Sequence, residues 1–566
     1  MPKRWILKNT DEIAAQSLAD ELRINPVLCQ LLVQRGVRTY AEAKSFFRPS
    51  LDDLHDPFVM RDMDKAVTRL HTAITQQQKV LLYGDYDVDG TTSVALLYDF
   101  LQPYLTRLDY YIPDRYKEGY GVSMASIDYA KQNGFQLIIA MDCGIKAVAP
   151  IALANQYGID FIVCDHHVPD AVLPAAHAIL DPKRPDCPYP FKELCGCGIA
   201  FKLAQAYLQH LDISVHSLER LLDLCAVSIA CDLVSMTGEN RILAHFGLLR
   251  LNENPRVGFR ALMRVREKEH PLNINDIVFG LGPLINAAGR LSDAKLAVRL
   301  LIAQDPAVAK DAAEQLSQQN KLRREVEADI MVEVAAQMAA NTNEMRKSVV
   351  LYSPKWHKGI VGIIAARISE QVYRPTVVLT ESEGKIVGSV RTVAGFDVYE
   401  ALRQCEDLLD NFGGHAFAAG LVMLPENLEA FTIRFELLAQ QLLTPELLIP
   451  EVNISAVLPL AHISERFYGI LRQFAPFGPG NMRPVFLATD LHEPGFSRLS
   501  RNEQHLLLSL PQPNGSYIHG VAFGMGHLYT ELRRQAFDMC YVLDEIVTQN
   551  GELTVRFQVK DFRIKL

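Results

Sequence analysis

Asp165-His166-His167 follows the apolar run Phe161 to Cys164, and two other apolar runs also end in acids. Lys79 to Gly84 is followed by Asp85, Asp87 and Asp89, and Phe135 to Met141 by Asp142. Carboxylates gathered within a few ångströms repel one another in a poorly solvated cleft, so they take up protons or bind divalent metal. Mixed oxygen and imidazole donors suit Mn2+ or Mg2+ better than a structural Zn2+ site, which favours thiolates. The bland alternative is that each Asp caps the helix after its strand. Capping, however, requires neither a doubled His nor acids at alternate residues.

The runs that carry these residues are short, aliphatic or β-branched, bounded by Gly and separated by helix-length segments. They read as buried parallel strands of an α/β fold, whose C-terminal ends deliver side chains to one sheet edge.

Tyr83-Gly84-Asp85-Tyr86-Asp87-Val88-Asp89-Gly90-Thr91-Thr92, Asp142-Cys143-Gly144 and Asp165-His166-His167 resemble successive motifs of the DHH phosphoesterase superfamily. Within it, Asn286-Ala287-Ala288-Gly289-Arg290-Leu291 and Gly413-Gly414-His415-Ala416-Phe417-Ala418-Ala419-Gly420 are similar to the RecJ single-strand-specific exonucleases. The motifs stand in the family's order and cover most of the chain.

The resemblance implies two-metal hydrolysis of a phosphodiester in single-stranded DNA, 5′ to 3′, releasing 5′-mononucleotides in DNA repair and recombination. Asp87 and Asp89 would each favour a different Mn2+ or Mg2+ ion, Asp142 would bridge them, and His166 and Asp232 would complete the second site. Asp85 is expected as a supporting ligand or orienter, and His167 as a donor to the scissile phosphate. The same resemblance makes Arg115, Tyr120 and Asn286 substrate contacts and places Arg290, Ser389 and Arg391 near a terminal phosphate. His415, after a Gly pair that lets backbone N–H groups approach an anion, could add a donor there. Two other readings remain: an oligonucleotide phosphodiesterase or pyrophosphatase of the same superfamily, and a non-catalytic replication scaffold. The first normally lacks a long C-terminal barrel region, and the second is expected to lose metal ligands that this chain keeps.

Composition agrees with an ordinary globular protein: 566 residues, 49% hydrophobic and 22% charged. No apolar stretch reaches membrane-spanning length and no signal-peptide core is evident, so a cytoplasmic protein without a membrane segment is expected. The ten Cys are scattered, mostly inside apolar runs, and read as reduced thiols. Cys187, Cys195 and Cys197 form one cluster, without a second pair at zinc-finger spacing. A net charge of −9 argues against a protein that coats nucleic acid, while leaving room for a confined basic channel. Expected partners are single-stranded DNA and, by resemblance, single-strand-binding protein and a helicase, with the chain acting as a monomer.

Five regions are expected. Residues 1–50 read as a helical segment, and 51–304 as the parallel-sheet DHH catalytic domain, with Pro271 to Leu291 a Gly- and Asn-rich connection. Asp305 and Pro306 have the types of an N-cap and first helical residue, and Leu322, Val326, Ile330 and Val334 recur at four-residue spacing. They mark a long connecting helix over 305–347. Residues 348–445 read as a second α/β domain that binds substrate. Short alternating runs (Asn453 to Val457, His505 to Leu510, Glu552 to Val559) predict a β-barrel over 446–566, OB-like by resemblance. In its loop Phe474 to Arg483, aromatics and Arg would either stack on bases or pack a corner.

Overall fold

The computed structural model describes residues 3–267, 271–291, 293–340, 346–513, 515–547 and 553–565. Strand β1 (Arg4–Leu7) leads into helices Glu12–Leu22, Pro26–Val33 and Tyr40–Phe47. The Asp11 carboxylate accepts from the Ala14 N–H and starts the first of them.

The apolar runs that end in acids are β2 (Val80–Gly84), β4 (Leu137–Met141) and β5 (Asp160–Cys164). With β3 (Leu108–Tyr111) and β6 (Ala178–Leu180) they form an all-parallel sheet in the order β3-β2-β4-β5-β6. Every residue of β2 and β4 is buried, because helices cover both faces. Val80, Leu82 and Ile139 face one core, shared with helices Val88–Leu101 and Gly196–His210; Leu81, Tyr83, Ile138 and Ala140 face the other. The chain leaves β2 toward β3 and leaves β4 toward β5, so the crevice between the ends of β2 and β4 is a topological switch point, where open α/β sheets bind ligands.

One expectation is corrected here. Pro271 to Leu291 is largely helical, with a π-helical turn at Ile277–Leu281 running into helix Gly282–Leu291. Its glycines mark close packing: a Cβ at Gly282 would meet the Cys231 sulfur at 2.5 Å, and one at Gly289 the Tyr86 carbonyl oxygen at 2.5 Å.

Asp305 caps the long helix Pro306–Ala340 through the Ala307 N–H at 2.8 Å; of the expected span, residues 341–345 lie outside the described residues. Ile330 and Val334 on this helix share a core with Trp356, Ile360 and Ile364 of the next domain, and the Trp356 indole N–H donates to Glu333 at 2.8 Å. That domain carries β7 (Val349–Tyr352), β8 (Thr376–Ser382), β9 (Lys385–Arg391), β10 (Asn411–His415) and β11 (Ala418–Met423), in the order β10-β11-β9-β8-β7. Only β7 and β8 run parallel.

The C-terminal region begins with β12 (Glu451–Ile454), paired in parallel with β1, and continues as a seven-stranded sheet over 456–564. Glu552 lies outside the described residues. Leu28, Leu31 and Leu32 share one core with Phe486, Leu508 and Tyr541, so the N-terminal helices are built onto this barrel. Phe474 is fully buried between Phe46 and Phe47, each with ring centroids 5.4 Å away. Pro479 accepts from the Met236 N–H at 2.6 Å. The loop packs a corner and docks the barrel on the first domain, leaving no Phe474 face for a base. No described helix is long and apolar enough to cross a membrane.

Candidate active site

The carboxylates and imidazoles come together as the strand ends require. Asp85 and Asp87 leave β2, and Asp87 caps helix Val88–Leu101 by accepting from the Gly90 N–H at 3.0 Å. Capping does not take Asp87 out of the cluster, since its carboxylate still offers an oxygen within 4.8 Å of Asp85 and Asp142, and the helix it caps also carries Asp89. Asp142 follows β4 in the left-handed region at φ 60°, a conformation that favours Asn and Asp among residues with a Cβ and that turns the chain at the sheet edge. Asp232 follows helix Leu222–Cys231.

Three sets of possible ligand atoms lie within 4.8 Å of one another: Asp85, Asp87 and Asp142; Asp89, His166 and Asp232; and Asp142, His166 and His167. The Nε2 of His166 is 3.1 Å from Asp142 Oδ1 and 3.7 Å from both Asp89 Oδ2 and Asp232 Oδ2. Burial pushes the His166 imidazole down to about 4, so it is neutral near pH 7 and has a lone pair for a metal. Burial first, and the facing carboxylates second, push Asp85, Asp87, Asp142 and Asp232 upward. Asp85 Oδ1, Asp232 Oδ2 and His166 Nδ1 are buried without a hydrogen-bond partner. Acceptor-only oxygens that converge, repel and lack donors are the arrangement a divalent cation satisfies, so the residues present fit Mn2+ or Mg2+.

Asp89 is held from behind. Its oxygens accept from the N–H groups of Gly196 and Cys197 at 2.7 and 2.8 Å, at the start of helix Gly196–His210, and from the Ser228 hydroxyl at 2.6 Å. Neither Gly196 nor Ser228 was recognised as a site residue in the sequence. The alternation Cys195-Gly196-Cys197-Gly198 before an apolar helix was the one local signal, since small residues there let a backbone approach a carboxylate.

Asp165 has a different role from the other acids. Its Oδ1 accepts from the His166 and His167 N–H groups and, at 2.7 Å, from His167 Nδ1; its Oδ2 accepts from Ile145 N–H. Burial would raise this carboxyl, but the bond to His167 and the nearby imidazoles outweigh it and hold it well below the ordinary range. The carboxylate in turn overcomes burial to raise His167. An ionised carboxylate accepts only, so Nδ1 carries the proton and Nε2 is left for other partners. Tyr120 lies beside this ring, its hydroxyl 3.2 Å from the His167 nitrogens and 3.4 Å from the Asp142 carbonyl oxygen.

Arg115, Arg290, Ser389 and Arg391 line one cavity of ≈ 430 Å³ between the first and second domains, together with Tyr116 and Lys358. Burial, then the neighbouring Arg115, Arg323 and Arg391, push Arg290 down to about 10; burial and Arg115 lower Arg391 as well. Such a cluster of mutually repelling guanidiniums favours a bound polyanion. Arg391 donates to the Ser389 hydroxyl at 2.7 Å. Arg290 donates to the Gly359 carbonyl oxygen at 3.2 Å, and the Tyr116 hydroxyl donates to the Arg290 carbonyl oxygen. A Cβ on Gly359 would lie 2.3 Å from that hydroxyl, so Gly at 359 lets the two domains meet. Asn286 stands apart, in a second cavity of ≈ 130 Å³ with Cys231, Arg290 and Arg323. His415 is at the exposed end of β10, lowered first by burial and then by the charges of Arg391 and His167.

This sheet edge and its acids define a DHH-type site: the model described as "DHH family, N-terminal domain" matches residues 79–229, "DHHA1 domain" 346–441 and "RecJ OB domain" 454–561. The chain is 36% identical to the single-stranded-DNA-specific exonuclease RecJ of Bacillus subtilis over 93% of its own length and 66% of that protein's. It is 33% identical to the Escherichia coli RecJ, over 88% of this chain and 89% of the relative. The crystal structure of Thermus thermophilus RecJ in complex with Mn2+ superimposes with a TM-score of 0.85 at 28% identity, covering 99% of this chain and 79% of that one. The chain belongs to the RecJ family of single-stranded-DNA-specific exonucleases.

Proposed function

We propose that this chain is a metal-dependent, single-strand-specific 5′-to-3′ exonuclease that hydrolyses phosphodiesters to 5′-mononucleotides in DNA repair and recombination. The observation that carries the reading is that a buried carboxylate and imidazole cluster and a cation-lined cavity share Arg115 and the β2 end as neighbours in one cleft: Arg115 lines the cavity, and its guanidinium lies 4.8 Å from the ring centroid of Tyr86, the residue between Asp85 and Asp87.

Asp85, Asp87 and Asp142 would hold one ion and Asp89, His166 and Asp232 another, with Asp142 between them. Mn2+ or Mg2+ held there supplies Lewis acidity, lowering the pKa of water and neutralising charge on the attacking and leaving oxygens. Asp165 fixes the tautomer and orientation of His167, whose Nε2, when protonated, donates to the scissile phosphate as charge builds on it. Tyr120, packed edge-on beside that ring, would contact the substrate next to it. Arg115, Arg290, Ser389 and Arg391 would receive the 5′-terminal phosphate, so that the next phosphodiester lies over the ions; Asn286 would support Arg290 from behind, and His415 would border the strand.

The work is divided among a catalytic domain near 51–304, the long helix, a substrate-binding domain near 348–445 and the barrel, which would hold the trailing strand. The proposal also includes a cytoplasmic monomer that meets single-strand-binding protein and a helicase, carried over from the family resemblance.

The test is digestion of long single strands labelled at either end, with Mn2+ present. Early release of the 5′ label as a mononucleotide is expected; early release of the 3′ label, or internal cuts, would defeat the assignment. Arg391→Ala should narrow the preference for a 5′-phosphate over a 5′-hydroxyl by about tenfold, the value of one charge-assisted hydrogen bond. Arg290→Ala should reduce activity on both ends, because this guanidinium also holds Gly359.

A further inference from the structure

The β10–β11 hairpin turns at Ala416 and Phe417, with His415 paired to Ala418. Gly413, Gly414, Ala418, Ala419 and Gly420 line the cation-rich cavity, so this hairpin presents almost no side chain to it. Phe417 stands in the turn next to Ala418, at the rim of the cavity, and is not itself a lining residue. It is 68% exposed, a costly placement for a phenyl ring, which stands 6.2 Å, centroid to centroid, from the His415 ring.

The ring's base is nevertheless anchored. Ala416 accepts from the Val398 N–H at 3.0 Å, and the Phe417 N–H donates to His415 Nδ1 at 3.3 Å. His415 pairs with Ala418 and follows Gly414, both of which line the cavity, so the hairpin end stands at the cavity rim. Tyr120, 57% exposed, stands by His167 on the first domain. A strand whose terminal phosphate sits in the cavity and whose next phosphate sits at the carboxylates has its first nucleobase left for a contact at the cavity rim.

We infer that Phe417 is a base-stacking residue that grips the nucleobase of the 5′-terminal nucleotide. The inference rests on reading the cavity as the 5′-phosphate site. Any base offers a π-face, so the grip is tolerant of sequence and suits an enzyme that must accept each nucleotide in turn. The contact acts in binding, with the chemistry left to the residues at the metal cluster.

The test compares wild type, Phe417→Ala, Phe417→Leu and Phe417→Trp on two 5′-phosphorylated single strands, one ordinary and one whose 5′-terminal nucleotide lacks its base. On the ordinary strand Phe417→Ala and Phe417→Leu should raise KM about tenfold with kcat nearly unchanged, and Phe417→Trp should restore it. On the abasic strand wild type and all variants should be alike. An unchanged KM on the ordinary strand, or the same loss on both strands, overturns the stacking role. If Phe417→Ala melts lower than wild type, Phe417→Leu carries the comparison. The preference for 5′-phosphate should persist in every Phe417 variant, whereas its persistence in Arg391→Ala would defeat the cavity reading; the two failures are separable.

Discussion

A Cβ on Gly196 would lie 2.7 Å from the Cβ of Asp142, across the crevice between the first helix turn after Cys195 and the end of β4. The same atom would come within 3.0 Å of Asp89 Oδ2, so one added methyl group touches two carboxylates of the cluster at once. Gly196→Ala should therefore displace both carboxylates by several tenths of an ångström and lower turnover by about a hundredfold. Measuring the Mn2+ concentration for half-maximal activity alongside turnover checks the cause: it should rise, and an unaltered metal requirement would refute displacement of the ligands.

Asp142 and Asp89 are both expected to be essential for hydrolysis, yet their removal should affect folding in opposite directions. Asp142 sits among facing acids that repel it, so Asp142→Ala should leave the melting temperature of the metal-free protein equal or higher. Asp89 satisfies Gly196, Cys197 and Ser228, and Asp89→Ala strands those buried donors at a cost of about 1–3 kcal/mol. Calorimetry of the two variants without metal decides it; equal shifts would contradict the different bonding.

Metal removal should reverse the pH dependence of stability. Burial and mutual repulsion raise Asp85, Asp87, Asp142 and Asp232, so above the ordinary carboxylate range the folded, metal-free protein retains protons that the unfolded chain has released. Stability from these groups must then fall as pH rises. Mn2+ replaces those protons, so the gain in melting temperature on adding it should grow with pH; at a hundred times Kd the stabilisation is about 2.7 kcal/mol. Thermal melts from pH 5 to pH 8 with and without chelator test this, and a gain independent of pH would speak against metal at the carboxylates.

The barrel can be removed only together with the N-terminal helices. A fragment of residues 51–450 should remain folded and cleave very short oligonucleotides while binding long strands weakly. A fragment of residues 1–450 should aggregate, since Leu28, Leu31 and Leu32 lose the barrel core they share. Sedimentation of both fragments, and KM on short against long strands, would show whether grip and chemistry separate; equal losses on both lengths for 51–450 would count against it.

What was legible in the sequence was local. The unbroken apolar runs of β2 and β4, acids at the strand ends, and the cap at Asp305 follow from patterns within ten residues, and they locate the parallel sheet, the carboxylate and imidazole cluster and the long helix. Tertiary structure decided what those patterns meet. The donors that hold Asp89 come from Gly196 and Ser228, more than a hundred residues away, and no spacing rule connects them. Glycines at 282 and 289 read as a loop by composition and serve as close helix contacts, because only the neighbouring chain shows whether a missing Cβ grants flexibility or room. β1 pairs with β12, 447 residues further along the chain, and Phe474 is committed to Phe46 and Phe47. An aromatic in a loop is equally suited to a base or to a core, and its burial depends on which distant surface folds against it.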